Sequence, residues 1–174
     1  MVEAAPSSNH QHRGGACDAR VIGLFNPSSA SLGREFLCQP KGAILLRIFL
    51  VDDNAMARTA VKMALQQHPD WVVVGEASDG RQALETFRTY APHLTVMDFL
   101  MPELNGLDTA RHLTERNPNV LILMITSDPS TQLEEEARLA GIKGVCAKEA
   151  LHCLEHAIDA VIHGGTYFSE KIAA

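Results

Sequence analysis

From about Leu45 onward, five short apolar runs alternate with five stretches of helical periodicity, and this alternation limits the chain to very few folds. The runs are Leu46 to Val51, Val72 to Ala77, Leu94 to Met97, Val120 to Ile125 and Gly144 to Ala147. Their near-continuous apolar character marks strands covered on both faces, as in parallel sheets. Between them, Ala55 to His68 repeats Met56, Ala60 and Ala64 and stops before Pro69, whose ring is disfavoured inside a helix. A second pattern follows Ser78-Asp79-Gly80 with Ala83, Leu84 and Phe87; a third starts near Gly106 with Leu107, Ala110 and Leu113 and closes at Asn117-Pro118. The fourth follows Asp128-Pro129-Ser130 and puts Leu133, Ala137 and Ala140 on one face. The fifth, Glu149 to His163, carries Leu151, Leu154, Ile158 and Val161 and ends at Gly164-Gly165. The expected fold is an α/β doubly wound parallel sheet with right-handed crossovers and helices on both faces.

In such a sheet, ligands bind outside the carboxyl ends of the strands. There the sequence places Asp52 and Asp53 after the first strand, Asp98 after the third, Thr126 at the end of the fourth and Lys148 after the fifth. Crowded carboxylates raise one another's pKa, and a hard cation such as Mg²⁺ relieves the repulsion through one or two carboxylates, waters and a phosphate oxygen. Lys148 adds a positive point charge suited to a phosphoryl oxygen. Asp98 opens the loop MDFLMPELNG, stiffened by Pro102 and Gly106, and a carboxylate there can carry a phosphoryl group as an acyl phosphate. Alone it would read as a loop acid or helix cap. Of the adjacent Asp52 and Asp53, one can bind metal directly and the other through water, or one can cap the first helix. Thr126 offers a hydroxyl to a phosphoryl oxygen, with Ser127 as a second donor; a strand-end threonine packing by its methyl is the plainer alternative.

Residues 1–44 are rich in Ser, Gly, Asn, Pro and Ala without sustained periodicity, and are expected to be a disordered or weakly ordered extension; the run Val21 to Phe25 has no evident partner. The formal charge of -6 belongs to the rest of the chain: residues 1–44 hold four Lys/Arg against three Asp/Glu, and the remainder eleven against eighteen. An acidic body provides no footprint for nucleic acid. Cys17, Cys38, Cys146 and Cys153 have neither CxxC spacing nor the density of a disulfide scaffold, which fits free thiols in a reducing cytosol. The longest apolar stretch, Ala43 to Val51, is too short to span a bilayer, and no signal peptide is evident. His152, His156 and His163 share a helix face that reads as solvated, as does Glu134-Glu135-Glu136; His10, His12 and Cys17 make a weak metal cluster. No Gly-rich nucleotide fingerprint follows any strand.

The segments RIFLVDDN, VVGEASDGRQALE, LTVMDFLMPELNGLD, ILMITS and GVCAKEA, in this order over residues 46–169, resemble the receiver domain of bacterial two-component response regulators, the CheY-like family. VVGEASDGRQALE, the KEA after the lysine and IHGGTYFSEKIA are most similar to LuxR/NarL-type receivers. The resemblance implies a flavodoxin-like (βα)5 fold with strand order 2-1-3-4-5 in residues 45–174. It implies that Asp98 accepts a phosphoryl group from a sensor histidine kinase or phosphotransfer protein. Asp53, Asp98 and the backbone carbonyl of Leu100 would ligate Mg²⁺, Asp52 would act mainly through water, and Thr126 and Lys148 would contact the phosphoryl oxygens. A homodimer would form through the fourth helix, fifth strand and fifth helix, or through the first and fifth helices. The chain departs from the family pattern at Val145, where an aromatic switch residue often stands, and in ending before a helix-turn-helix output domain. Two other readings fit the acids: a Mg²⁺-dependent phosphohydrolase with an aspartyl nucleophile, which would carry DxD where this chain has DDNAM, and a degenerate receiver serving only to bind protein.

Overall fold

The computed structural model describes residues 45–168. The expectations for the extension 1–44, the Val21 to Phe25 run, Cys17, Cys38, His10 and His12, and for residues 169–174, lie outside the described residues.

The elements run β1 (Leu46–Val51), α1 (Ala55–Leu65), β2 (Trp71–Ala77), α2 (Gly80–Tyr90), β3 (Leu94–Asp98), α3 (Gly106–Arg116), β4 (Leu121–Thr126), α4 (Thr131–Leu139), β5 (Gly144–Ala147), α5 (Leu154–Ile162) and β6 (Tyr167–Phe168). All neighbours in the sheet pair in parallel, in the order β2-β1-β3-β4-β5-β6. The expected order holds for the first five strands, and β6 extends it beyond β5.

Alternate residues of the central strands feed two separate cores. Phe49, Val51, Met97, Ile122 and Met124 pack with Ala83 and Phe87 of α2, Leu107, Ala110 and Leu113 of α3, and Leu133 and Ala137 of α4. Ile48, Leu50, Val96, Leu123 and Ile125 pack on the other face with Val61 and Leu65 of α1 and Leu154, Ala157, Ile158 and Val161 of α5. Covering both faces explains why the strands read as unbroken apolar runs. Each fully buried side chain of this size is worth roughly 1.5–3 kcal/mol of transfer free energy, so the two cores fix where the strand ends emerge.

Four helices start on capping side chains: Asn54, Asp79, Asn105 and Ser130 each accept from backbone N–H groups of the first turn. The cap of α1 is therefore Asn54; neither Asp52 nor Asp53 takes that role. The same helix is shorter than its periodicity predicts, because after Leu65 the N–H groups of Gln67 and His68 donate three residues back, to Ala64 and Leu65, and turn the chain toward β2. The stretch expected as one helix from Glu149 to His163 divides in two. Lys148–Cys153 is a 3-10 segment with Ala150 outside helical geometry, and the α-helix begins only at Leu154.

β6 is two residues long and pairs Tyr167 with Gly144 and Phe168 with Val145. A side chain at Gly144 would put its Cβ 2.5 Å from the Tyr167 carbonyl oxygen, so this close approach requires glycine. Val145 is fully buried, and the aromatic ring beside it comes from Phe168, over which the Arg138 guanidinium of α4 lies 3.5 Å from the ring centroid.

Candidate functional site

The parallel register brings the expected residues to one edge. Asp98 is the last residue of β3, opposite Ile125 of β4, and Phe99 N–H donates to the Ile125 carbonyl at 3.0 Å. Thr126 ends β4 opposite Ala147, immediately before Lys148. Asp52 follows β1, with its N–H donating to the Ala77 carbonyl at the end of β2. All four positions are therefore set by strand pairing.

Lys148 Nζ donates to Asp98 Oδ2 at 2.7 Å and lies 3.0 Å from Asp52 Oδ2. Asp52 and Asp98 are buried, at 0% and 3% exposure. Asp52 Oδ1 accepts the Asn54 N–H at 2.7 Å, and Asp98 Oδ1 accepts the Leu100 N–H at 3.4 Å. Asp53 stands exposed at the mouth, and one carboxylate oxygen from each of Asp52, Asp53 and Asp98 lies within 4.8 Å of the others. Leu100, whose carbonyl was expected as a ligand, sits two residues past Asp98 and is 62% exposed. The Thr126 hydroxyl is fully buried and accepts the Asp128 N–H at 3.2 Å, which leaves its own proton free to donate; Ser127 beside it is exposed.

The charges do not balance. Burial pushes the Asp98 carboxyl above its ordinary value, against the opposing pull of the Lys148 hydrogen bond. Burial acts to lower the Lys148 ammonium, but its hydrogen bond to Asp98 and the adjacent Asp52 carboxylate outweigh that and raise it. One ammonium is well satisfied by two buried carboxylates; two carboxylates are under-satisfied by one ammonium. Asp52 Oδ2, though within ion-pair distance of Nζ, has no aligned hydrogen-bond donor. A cluster of hard oxygen donors with surplus negative charge and an orphaned buried oxygen fits a divalent cation such as Mg²⁺.

This imbalance predicts a pH-dependent stability difference. A carboxyl whose folded-state pKa lies above its unfolded value holds its proton more tightly when folded, so ionised Asp98 lowers stability as pH rises through the raised value. Asp98→Asn is therefore expected to be the more stable chain near neutral pH without divalent cation, its advantage shrinking as pH falls toward the ordinary carboxylate value of 3.8. Urea unfolding of both chains across this range checks it, and an advantage independent of pH would contradict it.

The loop after Asp98 is held by close backbone contact. Gly106 N–H donates to the Phe99 carbonyl at 2.9 Å, and a Cβ at Gly106 would lie 2.1 Å from the Asp98 carbonyl oxygen. Gly106→Ala must push α3 away from the end of β3. It is expected to cost about 1–3 kcal/mol in urea unfolding; an unchanged midpoint would contradict this reading of the loop.

Sequence reasoning missed Arg58, whose Nη1 donates to the Asp52 carbonyl and whose Nε donates to Glu76 Oε2 at 3.2 Å. A single basic residue on an amphipathic helix gives no signal until the end of β2 is placed beside it. His152, His156 and His163 are exposed, consistent with a solvated face, and among the described residues the metal-competent cluster is the acidic one.

Residues 48–159, more than half the chain, match the response regulator receiver domain. The chain belongs to the response regulator receiver family. Over 128 residues this receiver is 30% identical to the transcriptional regulatory protein DegU of Brevibacillus brevis, covering 73% of the chain and 54% of that protein. Over 130 residues it is 32% identical to the response regulator UvrY of Escherichia coli, covering 74% of the chain and 60% of that protein. The chain thus spans between half and two thirds of the length of these relatives. A LuxR-family two-component response regulator from Aurantimonas superposes with a TM-score of 0.71 at 30% identity, over 74% of this chain and 93% of that one. Its relatives are LuxR/NarL-type regulators, as the sequence resemblance implied. Among the described residues no helix is long and apolar enough to cross a membrane.

Proposed function

We propose that this receiver is a phosphorylation switch in which Asp98 takes a phosphoryl group from the phosphohistidine of a sensor kinase or phosphotransfer protein. The observation that supports it best is the Lys148 ammonium set between two buried carboxylates, at 2.7 Å from Asp98 and 3.0 Å from Asp52, beside a cluster that suits a cation. An Asp98 carboxylate oxygen attacks phosphorus; the O–P bond forms as the P–N bond to the imidazole breaks, and the leaving nitrogen keeps the electron pair. Such a transfer needs alignment and charge neutralisation more than covalent assistance. Mg²⁺ held by Asp53, Asp98 and the Leu100 carbonyl, with Asp52 acting through water, would neutralise phosphoryl oxygens. Lys148 gives up part of its contact with Asp98 to the incoming group, and the Thr126 hydroxyl turns its free proton toward it.

The product is an acyl phosphate carrying a charge of about -1.5 to -2 where one carboxylate stood. Drawing in Thr126 pulls on the Asp128 N–H it now accepts, and so on the loop leading to the Ser130 cap of α4. The switch thereby reaches α4 and the neighbouring β5 and α5, a face suited to a homodimer or another partner, with α1 and α5 as the second candidate pair. In this reading residues 45–174 form the receiver and 1–44 an extension; the domain acts in the cytoplasm, contacts no nucleic acid itself, and catalyses only its own phosphorylation and dephosphorylation.

The test is an amide spectrum of the ¹⁵N-labelled chain with Mg²⁺ and beryllofluoride, the phosphomimetic used with the RcsB receiver of Salmonella enterica. Shifts are expected at the site and at residues 126–133. An unchanged spectrum at saturating reagent would overturn the proposal.

A further inference from the structure

We infer that Arg58 is a positioning residue for the cation site, and that Glu76 holds Arg58 in that role. The inference rests on the reading of Asp52 and Asp53 as cation-holding residues. Every polar group of Asp52 except the orphaned Oδ2 is tied down from outside: its N–H donates to the Ala77 carbonyl at 3.2 Å, its Oδ1 accepts the Asn54 N–H at 2.7 Å, and its carbonyl accepts from Arg58 Nη1 at 2.5 Å. The carbonyl contact fixes the peptide joining Asp52 to Asp53, and that peptide decides where the Asp53 carboxylate projects.

Arg58 can do this because its own plane is fixed. Nε donates to Glu76 Oε2 at 3.2 Å while Nη1 reaches the carbonyl, so one rigid fork spans the end of β2 and the turn after β1. The Arg58 side chain is only 18% exposed. Lys62, one turn on, donates to the other Glu76 oxygen at 2.9 Å and makes no contact with Asp52 in the structure's ion pairs. The Lys62 and Arg58 hydrogen bonds together hold the Glu76 carboxyl below its usual range. Lys62 therefore shares the ion pair without sharing the positioning contact, and serves as the internal control.

Outer partners that orient metal-binding groups typically change metal affinity by about 10–100-fold. Titration calorimetry of the whole chain with Mg²⁺ is expected to show affinity about tenfold weaker for Arg58→Ala, and less than about twofold changed for Lys62→Ala. Arg58→Lys is expected to behave like Arg58→Ala, since a single ammonium cannot reproduce the fork. Glu76→Gln should weaken binding in the same direction, and the Arg58→Ala/Glu76→Gln double variant should be no weaker than Arg58→Ala alone. Urea midpoints measured alongside report the loss of the ion pair itself. Equal Mg²⁺ affinity in wild type and both Arg58 variants, with only the midpoints lowered, would overturn the inference while leaving the cation site standing. No Mg²⁺ binding by the wild type would overturn the cation site and this inference with it.

Discussion

Lys148→Ala is expected to slow phosphoryl transfer to Asp98 by about a hundred- to a thousandfold, the usual cost of removing one preorganised charge-stabilising donor, and at the same time to tighten Mg²⁺ binding. The two effects have one cause. Nζ lies 2.7 Å from Asp98 Oδ2 and 3.0 Å from Asp52 Oδ2, so in the resting protein it competes with a cation for the same oxygens. Without it, two buried carboxylates face each other with no internal counter-charge, and a divalent ion gains what the ammonium gives up. The arriving phosphoryl group, however, loses the positive charge paired with the Asp98 and Asp52 carboxylates. Weaker Mg²⁺ binding together with slow transfer would mean that Lys148 only holds the loop in shape. Rates with a small phosphodonor at saturating Mg²⁺, set beside a Mg²⁺ titration, separate these cases.

Asp53→Asn is expected to lower Mg²⁺ affinity and phosphoryl labelling by about a hundredfold or more, since loss of a direct ligand should cost at least as much as the largest losses seen for the outer partners of metal ligands, while leaving stability within about 0.5 kcal/mol of the parent. Asp53 is exposed, and Asn54 rather than Asp53 caps α1, so no packing or capping is lost. Removing divalent cations with a chelator should reproduce the labelling defect in the unaltered chain. The contrast with Asp98 is informative: Asn at 53 leaves stability alone, whereas Asn at 98 removes a strained buried charge. A large fall in stability for Asp53→Asn would place this residue in the fold and not in the site.

The two-sided sheet was legible because burial on both faces writes itself as apolar runs such as LRIFLV and LILMIT, and the strand-end acids stood out against that background. Asp52, Asp98, Thr126 and Lys148 needed only parallel register to converge, and parallel register follows from the βα alternation. What the sequence concealed lies in contacts between distant segments. β6 is two residues long, too short for any periodicity, and is recognised only because Tyr167 and Phe168 lie along β5. The aromatic ring beside Val145 was invisible for the same reason, arriving from 23 positions downstream through the Val145 to Phe168 pairing. The break at Ala150 was masked by Leu151, Leu154, Ile158 and Val161, whose helical spacing runs across it. Arg58 was passed over because its partners, the Asp52 carbonyl and Glu76, are a backbone atom and a residue 18 positions away.

The central claim is that Asp98 is the phosphoryl acceptor, and intact-mass analysis after incubation with a small phosphodonor and Mg²⁺ tests it most directly. The unaltered chain is expected to gain the mass of a single phosphoryl group, lost again under mild alkali as an acyl phosphate should be, and Asp98→Ala to gain none. Equal labelling of the two chains would contradict the account.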